Sequence, residues 1–541
     1  MKTISTSQSD HLVQIPSPQE SGSEGSQRSH KDRMFAQAVK DFLDSVREAK
    51  EIPLKLFQRF QKSQEQRLKR WHASGGSGRE IVQRRSDFID ILFKEIFDLV
   101  VKQVVEKPTL KGICVGAFGG YGRREMNPFS DVDIMFIHKE EQPTPAMEKI
   151  ISSILMVLWD LGFKVGHATR SIGDSIEHAN KEMLSKTAML ECRILAGDKE
   201  TFKSFKEKFK KHCVLGHEKK YIAWRLENLQ YLREKFGKSV FMQEPNIKSG
   251  SGGLRDYQNI LWIAIFKVGT ASLCRLVELK FLRESERKKL ENSYDFLLRV
   301  RNEMHYQEGR ANDQLTLLLQ GKVATALGYP QRHIIRRSEA FMKDYYERTR
   351  DIFLITSAVL GRMKLTTKKS HLLGCLFQRK KKKELVDGFL IQDKMLFPVE
   401  KENFSKDPFR MMQAFYLAQL RSLDFSPELS DLIKRRLKLV DRTFQYSKEV
   451  RGIFLAILAR KGEVGRILRM MHDLGFLGKY LPEFGALTCL VQHEFYHRYT
   501  ADEHTLVCIE KIDNLFNTNV SSPYRRVNSG FYDSSYVKKA G

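Results

Sequence analysis

The sequence predicts an α+β protein, a small mixed β-sheet set into a chain that is otherwise helical. Three observations carry that prediction. Apolar residues recur at helical spacing before about residue 105 and again after about residue 175. Between them the pattern changes to short apolar runs bounded by glycine and aspartate, the mark of buried strands. Within that stretch a Gly-Gly pair at 119–120 is followed by Asp-x-Asp at 131–133, which reads as strand, turn, short helix, turn, strand.

Taken in order, residues 1–34 are rich in Ser, Gln, Pro and Gly and read as a disordered tail. Residues 35–70 place Phe35, Val39, Phe42, Leu43 and Val46 at helical intervals, and a Ser/Gly linker follows at 74–78. A further helix is expected over 87–105, from Phe88, Ile89, Leu92, Ile96 and Leu99. Strands are expected at 113–118, 131–137 and 163–169, with an amphipathic helix at 145–161. Beyond 175 nearly everything reads as helical, with breaks at 250–253, near Pro330 and at 361–383. No internal repeat is visible.

The chain of 541 residues is long enough for about three or four domains. With 41% hydrophobic and 29% charged residues it can bury a sizeable core. A formal charge of +26 favours anionic partners without choosing among them. The basic run 379–383 reads as a solvated face or loop. The seven cysteines form no C-x-x-C pair, which excludes zinc ribbons and thioredoxin motifs and fits a reducing cytoplasm. The N-terminus lacks the apolar core of a signal peptide, and runs such as 150–159 are too short to span a bilayer. A cytoplasmic protein with no membrane association is expected.

The chemistry lies in 117–136. Asp131 and Asp133 are two apart in a β pattern, so both carboxylates project to one face while Val132, Ile134 and Phe136 point to the other. Adjacent like charges repel unless a cation neutralises them, and carboxylate oxygens suit magnesium shared with substrate phosphates. Gly119 and Gly120 end a strand and open a helix, where backbone can approach a ligand closely and free N–H groups can meet phosphate. Asp-x-Asp alone is weak, and so is Gly-Gly. Joined at this spacing with strands on both sides, they point to a site for a magnesium–nucleoside triphosphate.

This segment resembles the nucleotidyltransferase superfamily of the DNA polymerase β type. Gly119-Gly120-Tyr121-Gly122-Arg123-x-Glu125, with Pro128-x-Ser130-Asp131-Val132-Asp133, resembles more closely the bacterial PII uridylyltransferase/uridylyl-removing family. The likeness continues through Leu158-Trp159-Asp160-Leu161-Gly162, Val165-Gly166-His167, Leu190-Glu191-x-Arg193, Glu244-Pro245-Asn246-x-Lys248, Gly252-Gly253-Leu254-Arg255-Asp256 and Arg299-x-Arg301 with His305. Leu481-Pro482-Glu483-Phe484 and Asp502-Glu503-His504-Thr505 resemble the approach to that family's HD phosphohydrolase domain. The resemblance spans about residues 85–515.

It implies a nucleotidyltransferase domain over 85–200, preceded by a helical segment and linker at 35–84. After it would come an associated helical domain at 201–360, a linker or helical region at 361–450, the start of an incomplete HD domain at 451–516 and a non-homologous tail at 517–541. It further implies that Asp131 and Asp133 hold one or two magnesium ions, and that Gly119, Gly120, Ser130 and Arg123 contact the nucleotide. UMP would pass from UTP to a tyrosine of the PII signal protein. A later strand acid, frequent in the superfamily, is missing from 163–169, leaving Asp174 and Glu191 as candidate bases. His504 matches the first HD ligand, but no His-Asp pair follows it, so uridylyl removal is expected to be absent.

Other readings stay open. His493-Glu494-Phe495-Tyr496-His497 fits the zinc-protease pattern H-E-x-x-H, although the resemblance assigns both histidines to the HD approach. Gly252-Gly253 reads as a helix-capping turn or a ligand loop. Arg301 and His305, on one helical face, read as an ion network or a phosphate-facing patch. The acceptor could be RNA or a small molecule, although no RNA-binding motif is present and nucleic acid is not expected. A chain that binds PII or nucleotide without transfer is the remaining reading.

Overall fold

The computed structural model describes residues 25–47, 52–105, 111–237, 239–363, 365, 384–399, 403–490 and 499–516, with side chains from residue 33 onward. The tail at 1–24, most of the linker with the basic run, the H-E-x-x-H segment and 517–541 lie outside the described residues. The chain divides into two compact units, residues 1–240, 244–341 and 348–359 in the first and 241–243, 342–347 and 360–541 in the second.

The first unit opens with helices α1 (Gly25–Arg47), α2 (Leu54–Ala73) and α3 (Gly78–Val104). α3 begins at Gly78 because Ser77 caps it, its hydroxyl accepting from the Glu80 amide. The helix therefore starts well before the 87 expected from apolar spacing alone. Its face of Ile81, Phe88, Leu92, Ile96 and Val100 is buried at helical intervals.

The sheet follows, from β1 (Ile113–Ala117), the single turn α4 (Gly119–Gly122), β2 (Val132–His138), α5 (Pro145–Asp160), β3 (Val165–Ser171), α6 (Ile172–Lys181), α7 (Met183–Leu190) and β4 (Arg193–Gly197). Its order is β3-β2-β1-β4, with β1 antiparallel to both neighbours and β2 parallel to β3. Thr144 caps α5 and Pro145 occupies its first turn, so the helix starts at the residue expected from its apolar spacing. Ile113, Val115, Ala117, Val132, Ile134 and Phe136 pack on one face with α3 and α5 in a continuous core. α6 and α8 (Lys199–Phe209) meet the strands as well. The unit is completed by α9 (Glu218–Phe236), α10 (Leu254–Val268), α11 (Leu273–Glu278), α12 (Glu284–Glu308), α13 (Leu317–Ala326) and much of α14 (Ile334–Arg362).

The second unit departs from the expected all-helical body. Strands β5 (Glu384–Val386), β6 (Phe389–Gln392), β7 (Met395–Pro398) and β8 (Asp424–Phe425) form a small sheet in that order. Helices α15 (Asn403–Lys406), α16 (Arg410–Leu420), α17 (Pro427–Arg436), α18 (Arg442–Tyr446), α19 (Lys448–Ala459), α20 (Val464–Asp473), α21 (Phe476–Tyr480), α22 (Pro482–Ala486) and α23 (Ala501–Phe516) complete it. Phe389, Leu396, Met411, Phe415, Val450, Ile467, Phe476 and Leu506 share one core. Strands as short as these leave no period-2 signature, so the region after 175 is mostly helical rather than all-helical. β4 escaped for the same reason. Among the described residues no helix is long and apolar enough to cross a membrane.

Candidate active site

β1 ends at Ala117, and the Phe118 amide donates to the Asp133 carbonyl at 3.0 Å, fastening the glycine turn to β2. Gly119 has φ +52°, a left-handed value that glycine adopts without strain. A Cβ there would stand 3.5 Å from Asp133 Oδ2. α4 is closed by Gly122 N–H donating to Phe118 O and Arg123 N–H to Gly119 O. Gly119 and Gly120 are half-buried, and the first amides of such a turn have no preceding carbonyl to meet.

Asp131 immediately precedes β2 and Asp133 lies within it. Both are exposed, while Val132 and Ile134 are buried, so the carboxylates share the face away from the α3–α5 core. The parallel register sets Asp133 opposite Gly166. A Cβ on Gly166 would lie 2.5 Å from Asp133 Oδ1, so glycine there leaves the carboxylate its space. Desolvation of the carboxyl by neighbouring protein, and next the charge of Asp131, push Asp133 above its usual value although its surface is largely open, while Lys248 and Arg123 pull it back. Two hard oxygen donors that repel each other fit a divalent cation sharing its shell with phosphate. Among the described residues no group of three His, Cys, Asp or Glu comes together as a metal site.

The turn leading to the acids is clamped from α12. The Asn127 side chain accepts from the Arg301 guanidinium and donates to Asn302 Oδ1 at 2.7 Å, and its carbonyl accepts from Arg85 at 2.9 Å. His305 Nδ1 sits 2.6 Å from the Pro128 carbonyl, and Arg301 Nε donates to Asp313 Oδ1 at 2.7 Å. The amide of Ser130, which is half-buried, donates to Asn127 O at 3.2 Å, closing the turn. Arg301 and His305 thus form the ion network, one of their two readings, and it holds the strand entry.

Arg123 follows α4, but its guanidinium is engaged inside the protein. It donates to Glu125 Oε2 at 2.8 Å and to Glu191 Oε2 at 2.6 Å. Burial works against its charge, yet Glu191 and Glu125 outweigh that and hold its pKa above the usual arginine value. Glu191 also accepts from the Trp262 indole, and burial pushes its carboxyl up. Asp174 accepts from Ser171 Oγ at 2.7 Å in the cap of α6. Both candidate bases are therefore occupied with structural bonds.

Two residues that spacing did not select complete the surroundings. Lys248 lies on the loop entering α10 and Arg255 in its first turn, joined by an Arg255 N–H to Lys248 O bond of 2.8 Å. The turn between them needs Gly252, with φ +72°, because a Cβ would fall 2.1 Å from Thr349 O. Gly253 is the N-cap of α10, so the capping reading of Gly252-Gly253 holds. Burial, then Arg301, bring the Lys248 pKa down to about 8. Burial, then Arg123 and Arg225, bring that of Arg255 down to about 10.

Three family models match successive parts of the chain: the nucleotidyltransferase model DUF294 over 62–170, GlnD PII-uridylyltransferase over 220–360 and uridylyltransferase GlnD third domain over 389–480. A bifunctional uridylyltransferase/uridylyl-removing enzyme of Novosphingobium aromaticivorans is 32% identical over 448 residues, 82% of this chain and 48% of the relative. Its counterpart in Azospirillum brasilense is 31% identical over 442 residues, 80% of this chain and 47% of the relative.

The chain belongs to the GlnD uridylyltransferase family. It spans about half the length of the curated relatives it matches, and it carries a nucleotidyltransferase domain of the GlnD type. In the second unit, His504 is exposed on α23. Its neighbours in the same motif are buried structural groups, Asp502 facing His472 at 3.3 Å and Glu503 accepting from Arg469 at 3.0 Å. The loop that carries Lys248 and Arg255 falls inside the GlnD PII-uridylyltransferase match, so the Glu244-Pro245-Asn246-x-Lys248 likeness was the signal that could have selected them.

Proposed function

We propose that this chain transfers UMP from UTP to a tyrosine of a PII signal protein in the cytoplasm. The observation that carries the reading is the Asp131–Asp133 pair on one face of β2, bounded by Gly119 on one side and Gly166 on the other. The relatives named above, both uridylyltransferases, supply the substrate class.

In this reading Asp131 and Asp133 hold magnesium, which neutralises phosphate charge when bound. The Gly119–Gly120 turn and Ser130 contact the triphosphate. Arg123, through Glu125 and Glu191, fixes the floor under that turn. The tyrosyl oxygen, its proton passing to solvent, attacks the α-phosphorus in line, the bond from that phosphorus to the bridging oxygen breaks, and pyrophosphate leaves.

Purified protein incubated with magnesium, UTP labelled at the α-phosphate and a PII protein should place label on the PII protein. The double variant Asp131→Asn, Asp133→Asn should lose at least about 1000-fold of that rate while its thermal transition stays in place. Label appearing on added RNA instead would replace the acceptor, and UTP binding without any transfer would reduce the chain to a nucleotide-binding protein.

A further inference from the structure

We infer that Lys248 and Arg255, on the loop and first turn of α10, bind the β- and γ-phosphates of the nucleotide and so hold the departing pyrophosphate. This rests on the nucleotidyltransferase reading and adds to it a phosphate clamp from outside the sheet.

Three guanidinium groups converge on the indole of Trp262, those of Arg225 at 4.4 Å, Arg255 at 5.1 Å and Arg123 at 5.9 Å from the ring centroid. Arg123 is matched by Glu125 and Glu191. Arg225 donates to Asn259 Oδ1. Among the described residues, Arg255 forms no ion pair within 4 Å and no side-chain hydrogen bond; it lies over the face of Trp262 and feels the Glu191 carboxylate only at a distance. Lys248 Nζ stands 3.9 Å from Asp313, a carboxylate already bonded to Arg301 at 2.7 Å. Positive charge is thus in excess here, and Lys248 and Arg123 both act on Asp133 electrostatically.

The helix dipole does not account for Arg255. Arg255 lies in the first turn of α10, where the helix dipole disfavours a cation. The loop is nonetheless firmly built. Ile247 N–H donates to Asp313 O at 2.8 Å, Leu254 N–H to Ile247 O at 3.0 Å, and Gly252 N–H to the buried Asp256 carboxylate at 2.9 Å. A loop that fixes one cation sharing its carboxylate with Arg301 and acting on Asp133, with a second cation bonded to it through the backbone, suits a polyphosphate anion. The planar guanidinium can grip two oxygens while the ammonium meets a third. The acids then take the cation that accompanies the same anion.

The test measures binding of magnesium–UTP, inorganic pyrophosphate and UMP to the full chain by calorimetry. The variants are Lys248→Ala, Arg255→Ala and the conservative Arg255→Lys. Each Ala variant should weaken UTP and pyrophosphate by about tenfold or more and change UMP by less than about twofold, with Arg255→Lys recovering part of the loss. Unfolding midpoints identify any variant that fails to fold, for which the Lys variant decides. Unchanged pyrophosphate and UTP affinity in folded variants overturns the clamp but leaves the proposed transfer standing. Equal losses for UMP and UTP also overturn it. Wild-type protein that binds neither UTP nor pyrophosphate overturns both readings.

Discussion

At the scale of the residue, one carboxylate governs the site. Asp133 stands between two positions that carry no side chain, Gly119 across the turn and Gly166 across the parallel pair. Gly166→Ala would set a methyl 2.5 Å from Oδ1 and push the acid aside. Because Gly166 is exposed at the surface, the fold should tolerate the methyl. The expected outcome is a thermal midpoint within a few degrees of wild type and a transfer rate lower by about 100-fold, checked by calorimetry and the labelled-UTP assay. The two acids and their shared face were legible because period 2 in a strand leaves no choice of side. Gly166 is marked in the sequence only by its place in a family likeness. Its steric role depends on which strand pairs with β2 and in what register, and no local pattern encodes that. Lys248 and Arg255 were hidden for a similar reason, since they lie far along the chain from Asp133 and a cation in a loop reads as solvated.

At the scale of the element, α12 serves as a splint. Its Arg301, Asn302 and His305 bind the Asn127–Pro128 turn that delivers Asp131, and Asp313 anchors Arg301. Burial works against the Asp313 carboxylate, but His305, Arg301 and Lys248 outweigh it and hold its pKa well below the usual range. A carboxyl depressed in the folded state stabilises fully above its unfolded value near about pH 4 and loses that contribution as pH falls through the folded value. Asp313→Asn should therefore cost about 2 kcal/mol at pH 7, and the gap to wild type should begin to narrow below about pH 4 and vanish only as pH falls through the depressed folded value. Urea titrations at several pH values read this directly. The helices carrying these contacts were legible from apolar spacing. The sheet of the second unit was not, although a signal existed. Asp387-Gly388 sits between apolar residues and takes φ +47° and +73°, the left-handed pair of a tight hairpin. Asp393-Lys394 repeats it at +53° and +60°, with a lysine where glycine or asparagine would have marked the turn.

At the scale of the whole molecule, each of the two compact units has a hydrophobic cluster of its own among the described residues, which implies two cooperative transitions. Phe415 is fully buried among Phe425, Phe476 and their neighbours. Phe415→Ala should lower one calorimetric transition by about 3–5 kcal/mol and leave the other in place. Magnesium–UTP should raise the other, because a ligand that binds only the native form stabilises the unit that holds it. A single merged transition shifted by both treatments would contradict this. The order of the two units was not legible as such, since 241–243 and 342–347 belong to the second unit while their flanks belong to the first. Composition marks boundaries through linkers, and such exchanges leave no linker.

β3 ends its sheet on one side, and among the described residues no further strand pairs with its outer margin. A bare rim invites a foreign strand, which would cap the end of the sheet where the acids stand. Lys164 just before β3 and Arg170 within it place like charges along that rim, so two copies brought rim to rim repel. The same basic surplus that draws in an anion thereby also keeps the sheet from zipping onto its twin.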